Sequence, residues 1–369
     1  MSDTPTPLEA LTLDLLRIES VIQHEREIAD WVEAWANERG FHQVIRAGDN
    51  IALVPRPLRD DAKQLMLLGH LDTVPRSDEN TPRIEGDKIY GLGASDMKGA
   101  DAVILDVLAH AVEHEPTHDL VGILYACEEG PFDGSGMPEI IEAAPDLFKE
   151  STLAIAMEPT DNAIELGCLG TMHARVHFHG QRAHSARPWQ GRNAIHLAAP
   201  FLSALAALEP RECTFGGLRF VEVCSATMVE FEGARNVIPG SFMINVNFRF
   251  GPDRSRSEAI AWITKLVHDS MGTDAIDEGL VTVEIRDVCP SGRVCDDNPL
   301  LDELKATIGD DVIVRAKQAW TDVGRLSELG MDAMNFGPGS GAQAHQVGEW
   351  CDRAQLAESR AILGRWLFP

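Results

Sequence analysis

Four short apolar runs constrain this chain most: 51–54 (IALV), 65–68 (LMLL), 121–126 (VGILYA) and 153–157 (LAIAM), with helical stretches such as 98–114 between them. Unbroken apolar runs of that length suit strands covered on both faces, and their alternation with helices predicts a layered α/β unit. Ahead of them, Leu8, Leu11, Leu15, Ile18, Ile28, Trp31, Val32 and Trp35 recur at helical spacing, and Gly40 supplies a stop. The spacing predicts an opening pair of helices.

From about residue 171 the pattern changes. It predicts strand 171–180, helix 191–209, strands 219–230 and 236–250, helix 255–270 and strand 280–286, the ferredoxin-like β-α-β-β-α-β order. This places an inserted domain at 171–286 inside a first domain made of 1–170 and 287–369. After the insertion LLDELKATI reads as helix, VIVRAK and AMNFG as extended, and 352–367 as a final helix. A chain of 369 residues suits two such units.

Acidic and imidazole side chains stand just after the apolar runs. His70 follows LMLLG, Glu128 and Glu129 follow ILYAC, and Glu158 follows AIAM. Ligands in open α/β sheets collect at the carboxyl ends of strands, which is where these residues fall. His70 and Asp72, two apart, share a side of an extended backbone, so Asp72 is placed to orient a metal-binding His70. Three glycines surround Asp96 in GLGASDMKG, giving it room to use both oxygens, although a helix-capping role fits the same motif. Adjacent Glu128 and Glu129 repel each other unless cations, protons or solvent intervene, and one could bind metal while the other handles protons. Glu158 before Pro159, and His345 in the glycine-rich GPGSGAQAH, complete the set, each of which alone also suits an ordinary turn or loop. Carboxylates with two imidazoles and no thiolate suit zinc, with cobalt or manganese as substitutes.

A formal charge of −26 opposes binding to nucleic acid or an anionic membrane surface. The first thirty residues show neither a basic start nor a sustained apolar segment, so a cytoplasmic chain is expected. Seven cysteines, an odd number without a CxxC pair, argue against a disulfide frame.

Taken together, GHLDTVP, GLGASDMKGA, YACEEG, AMEPT, RAHSARPWQGRNAIH, RNVIPG, NVNFRF and GPGSGAQAH resemble the zinc aminoacylase and deacylase family over nearly the whole chain. CEEGPFDGSG, HSARPWQGRNAIH and RAKQAWTDVGRLSELGMDAMNFGPG look most like its succinyl-diaminopimelate desuccinylases of actinobacterial type. The resemblance implies a mixed-sheet zinc-peptidase catalytic domain with an inserted domain that forms a homodimer. It implies two zinc ions, one held by His70 and Glu158 and the other by Glu129 and His345, with Asp96 bridging. Asp72 would orient His70, and Glu128 would be the general acid and base.

By the same resemblance, His184 would reach the substrate carbonyl across the dimer, and Asn236 and Arg249 would bind a substrate carboxylate. Read from its own strand, Arg249 could equally face solvent. The implied substrate is a small N-acyl amino acid: N-succinyl-LL-2,6-diaminopimelate, or else acetylornithine, acetylcitrulline or a dipeptide. A non-catalytic protein on the same fold would show a broken ligand set, whereas this set is complete. One departure stands out. Where desuccinylases of this family carry an arginine-containing GRRGS stretch, this chain reads Gly167-Cys168-Leu169-Gly170-Thr171. Arg187, Arg192 or Lys317 is left to receive the acyl carboxylate, or the substrate differs.

Overall fold

The computed structural model describes residues 4–60, 62–76, 80–149 and 152–369. The chain forms two compact units: Met1–Gly167 with Arg293–Lys317 and Thr321–Pro369, and Cys168–Gly292 with Gln318–Trp320.

The first unit is built on a mixed eight-stranded sheet. Its order is Gln43–Ala47, Asn50–Val54, Asp119–Tyr125, Gln64–His70, Thr152–Ala156, Asp332–Asn335, Ile164–Leu166 and Val314–Ala316. Gln64–His70 lies parallel to both Asp119–Tyr125 and Thr152–Ala156, and Asp332–Asn335 lies parallel to Thr152–Ala156. These central strands therefore all end at one edge. His70 is in register with Tyr125, and Leu68 with Ala156, so the residues that follow each strand emerge side by side. The apolar runs are buried throughout, and each enclosed Leu or Ile contributes roughly 1.5–3 kcal/mol.

The Lys98–Glu113 helix lies close against this sheet. Strand glycines permit the approach: a Cβ on Gly122 would sit 2.3 Å from Leu108 Cδ1, and one on Gly69 would sit 2.0 Å from Asp101 Oδ1. The opening helices are Pro7–Arg17, started by a Thr6–Glu9 capping box, and Arg26–Glu38. Arg353, on the final helix Arg353–Leu367, binds Glu9 and ties the chain ends together.

Sequence periodicity missed the edge strand Gln43–Ala47 and a small sheet of Arg83–Glu85, Lys88–Tyr90 and Trp350–Asp352. Those segments carry no apolar run of the length that marks the central strands. VIVRAK forms only Val314–Ala316, because it lies at the sheet's far edge with one partner.

The second unit has an antiparallel sheet in the order Arg211–Phe215, Leu218–Phe231, Ser241–Phe250, Gly170–His179 and Val281–Cys289. Without its first strand this is the ferredoxin-like arrangement. Met172, Ala174, Val176 and Phe178 alternate inward and pack with Phe242, Phe248, Phe201 and Ile263. The helix expected over 191–209 is two pieces, Ala194–Leu197 and Ala199–Ala206, since Pro200 lacks the N–H that would continue the first. The strand expected over 236–250 is likewise broken between Val237–Ile238 and Ser241–Phe250, around Pro239-Gly240. A bridge between Cys168 and Gly292 closes the base of this unit slightly outside 171–286. Gln318–Trp320 joins it because Gln318 accepts the Val221 N–H at 3.1 Å and Trp320 Nε1–H donates to Pro290 O at 2.9 Å.

Candidate metal centre

The first unit gathers seven of the residues singled out in the sequence. Three groups have potential ligand atoms within 4.8 Å of one another: His70, Asp96 and Glu158; Asp96, Glu129 and His345; and His70, Glu128 and Glu129. Asp96 belongs to two groups and divides its oxygens between them. Its Oδ1 lies 3.1 Å from His70 Nε2, and its Oδ2 lies 3.9 Å from His345 Nε2. Both Glu129 oxygens approach His345 Nε2, at 3.0 and 2.9 Å. Oxygen and imidazole donors packed this closely, without thiolates, fit divalent cations such as zinc.

His70 is held differently from the sequence expectation. Its Nδ1 lies 3.0 Å from the main-chain carbonyl of Asp72, which can only accept, so Nδ1 carries the hydrogen and Nε2 faces Asp96. The Asp72 carboxylate is farther away, 3.6 Å from Nδ1. Its oxygens instead accept the backbone N–H groups of Glu128 at 3.0 Å and Glu129 at 2.9 Å. Asp72 thus fixes the chain that presents both glutamates while its carbonyl fixes His70. Side-chain spacing alone could not reveal this, because the partners are backbone groups 56 and 57 residues away.

The concentration of acids is visible in their proton affinities. Burial, then the charges of Asp96 and Glu129, push Glu158 up to about 7 against the opposing pull of His70 and Lys317. Burial and the neighbouring Glu158 charge raise Glu128 well above the carboxylate range. Burial also acts on His70 and Asp96, lowering one and raising the other, but their mutual bond and nearby charges outweigh it. His70 is held well above its ordinary value and Asp96 below. Such a cluster carries protons or cations at neutral pH.

Glu349 was not found in the sequence. One of its oxygens accepts the N–H groups of Ser95 at 2.8 Å and Asp96 at 3.0 Å, and the other accepts that of Gly93 at 2.8 Å. Gly93 has φ +86°, which favours glycine, and this lets the loop turn its amides toward one carboxylate. Ser95 Oγ adds a bond to Trp350 O at 2.8 Å. Glu349, four residues after His345, therefore ties the segment carrying that histidine to the loop carrying Asp96. Its only sequence signal was a lone Glu in VGEW.

His184, Asn236 and Arg249 belong to the second unit. His184 pairs with Val237 in a two-residue ladder, and Ser185 N–H donates to Asn236 O at 2.9 Å. The His184 ring accepts the Ala186 N–H at Nδ1, 3.1 Å away, so its exposed Nε2 carries the hydrogen and is a donor. Arg249 is half-buried and its Nε–H donates to Asn247 Oδ1 at 3.0 Å. Among the described residues no carboxylate pairs with its guanidinium, and burial lowers its pKa. Solvent exposure, the alternative read from its strand, is not its environment.

Known proteins share this chain's sequence and fold. A protein of Mycobacterium tuberculosis with the provisional name succinyl-diaminopimelate desuccinylase DapE is 38% identical over 363 residues, 98% of each chain. A succinyl-diaminopimelate desuccinylase of Corynebacterium glutamicum is 37% identical over 360 residues, 97% of this chain and 95% of its own. The crystal structure of aminopeptidase PepT from Bacillus cereus superposes with a TM-score of 0.78, covering 98% of this chain and 97% of that one. At 17% identity this shows the fold alone. Residues 66–368, which span every member of the ligand cluster, match peptidase family M20/M25/M40, and the chain belongs to that family.

Proposed function

We propose that this protein is a metal-dependent amidohydrolase that cleaves N-succinyl-LL-2,6-diaminopimelate to succinate and the free amine, a step toward lysine and diaminopimelate. The observation that carries the reading is a complete ligand cluster with a proton-holding glutamate beside it, in a chain 37% identical to the C. glutamicum desuccinylase. Two zinc ions fit the division of Asp96 between two ligand groups, with cobalt or manganese as substitutes. When bound, they supply Lewis-acid polarisation and lower the pKa of water.

The chain's own groups handle protons and position. Glu128 takes a proton from the attacking water and delivers it to the departing amine, a role suited to its raised proton affinity. Asp72 holds Glu128 in place through its backbone N–H. His184, with hydrogen on Nε2, is suited to donate to the oxygen that gains charge as the carbonyl becomes tetrahedral. Arg249, free of carboxylate partners among the described residues, and Asn236 hold a substrate carboxylate.

The protein acts as a homodimer through its second unit. Beyond Glu222, Leu218–Phe231 has no strand on one side among the described residues, and this open edge carries exposed Met228, Val229 and Phe231. The seven free cysteines fit a reducing cytoplasm. Neither nucleic acid nor membrane is a partner, in keeping with the net charge of −26. Among the described residues no helix is long and apolar enough to cross a membrane.

The test is hydrolysis of N-succinyl-LL-2,6-diaminopimelate, acetylornithine, acetylcitrulline and dipeptides at equal concentration by the metal-loaded protein. The highest kcat/KM is expected on the succinyl substrate, and a preference for acetylornithine would overturn the assignment.

A further inference from the structure

His110 and His114 stand four residues apart at the end of the Lys98–Glu113 helix, so their rings share one face. The His114 N–H donates to His110 O at 2.9 Å, which carries the helical register through to the second histidine. The ring centroids are 4.2 Å apart, with the planes 33° from each other. Phe368 meets the half-buried His110 ring edge-on at 4.6 Å, and its own N–H donates to Gly364 O at 3.0 Å. Thr117 N–H donates to Leu367 O at 2.9 Å, tying the chain after the histidines to the final helix. The two imidazoles are therefore held side by side by contacts that need no ligand.

Among the described residues no hydrogen bond or ion pair uses a ring nitrogen of either histidine. Two imidazoles this close repel when both carry protons, and they can share one cation when each offers a lone pair. Burial, then the charges of His114 and Arg360, lower the proton affinity of His110 against the pull of Asp106 and Glu113. Arg360 is itself bonded to Asp106. Glu113 and Glu115 line the same open groove, and its volume of about 740 Å³ leaves room for coordinating waters. His177 and His179 also stack, but their centroids are 6.4 Å apart, and Glu284 and Thr282 each approach one of their nitrogens, at 3.6 and 3.0 Å.

We propose that His110 and His114 form a second metal site, separate from the ligand cluster, that takes a divalent copper or nickel ion through one nitrogen of each ring. Imidazole suits these ions, and copper binds such ligands most tightly of the first-row divalent metals. No carboxylate joins the pair within ligand distance among the described residues, so water completes the coordination. With two protein ligands the site is weaker than the cluster around Asp96. At 1.5 Å per residue the helix sets it on the order of 20 Å from Asp96, far enough for the two to fill independently.

The test titrates Ni²⁺ into the zinc-loaded protein by calorimetry, with elemental analysis of zinc before and after. Wild type should take up one equivalent of Ni²⁺ while its zinc content stays constant. His114→Ala removes only an exposed side chain and should weaken that uptake ~10-fold or more, as should His110→Ala. His177→Ala should leave it unchanged. With one equivalent of Cu²⁺ in place of Ni²⁺, electron paramagnetic resonance should show coupling to two imidazole nitrogens in wild type and to one in His114→Ala. The proposal fails if wild type takes up no Ni²⁺, if Ni²⁺ enters only by expelling zinc, or if both His110→Ala and His114→Ala bind it as wild type does.

Discussion

Glu349 accepts the backbone N–H of Asp96 at 3.0 Å, and the same carboxylate also takes the N–H groups of Ser95 and Gly93. Asp96 is one of the residues shared by two ligand groups, and its main chain is fixed by a side chain that belongs to none of those groups. Replacing Glu349 by alanine leaves buried N–H groups without their acceptor, each costing about 1–3 kcal/mol. The variant should unfold at lower temperature and bind metal ~10–100-fold more weakly, as expected when a group that orients a ligand is lost. Glu349→Gln keeps one acceptor oxygen but turns an NH2 toward a donor, so it should fall between. Titration against a competing chelator gives metal affinity, and thermal unfolding of the metal-free protein gives stability. Unchanged affinity in Glu349→Ala would remove Glu349 from the centre.

Glu128 lies within ligand distance of His70 and Glu129, so its neighbours alone would allow it to bind metal. The proton-transfer role makes a different prediction from the ligand role. Glu128→Gln should keep wild-type metal content and lose ~10²–10⁴-fold in kcat. Elemental analysis beside steady-state kinetics decides, and a loss of one equivalent of metal would make Glu128 a ligand.

The acid cluster also sets a pH dependence. Glu158 is held up to about 7 from an ordinary 4.5, and Glu128 is raised as well, so the metal-free folded protein keeps protons that the unfolded chain releases. Where the native state binds more protons, stability falls as pH rises, here between about 4.5 and 7. His70 acts in the same sense, since the stability from its raised affinity is lost as pH passes its folded value. Asp96 is lowered and opposes this only below its ordinary 3.8. Metal binding requires the deprotonated forms, so the stabilisation by added zinc should grow over the interval in which the metal-free protein weakens. Thermal unfolding at pH 5.5 and 7.5, with and without metal, tests both halves. Glu158→Gln should flatten the metal-free profile, and a metal-free Tm that rises with pH would refute the account.

Of the candidate ligands, His70, Glu129 and Glu158 were legible because each follows an apolar run, and parallel strands in register bring those strand ends together, as His70 opposite Tyr125 shows; Asp96 and His345 were legible only as acidic and imidazole groups in glycine-rich segments. Residues acting through the backbone were not. Asp72 looked like a partner for the His70 ring, yet its carboxylate serves the amides of Glu128 and Glu129. Glu349 gave no sign at all, since an amide-binding carboxylate needs no companion side chain in the sequence. In the second unit the β-α-β-β-α-β order of elements was legible, while Pro200 and Pro239 broke elements that were read as continuous.

The open edge of Leu218–Phe231 makes the homodimer testable, and with it the origin of the histidine donor. Phe231 is 62% exposed and Val229 is 53% exposed on a strand segment with one free side. A second copy pairing there would satisfy the backbone and cover these side chains. Val229→Asp with Phe231→Asp should therefore shift the sedimentation of the metal-loaded protein from dimer to monomer. If His184 serves the partner's centre, that monomer should lose activity while keeping its metal. Mixing inactive Glu128→Ala with inactive His184→Ala under subunit exchange gives the sharper result. In a mixed dimer, the centre that keeps Glu128 also receives the His184 of the other subunit, so about a quarter of wild-type activity should return at equal mixing. If His184 acts within its own subunit, neither centre of the mixed dimer is complete and no activity returns.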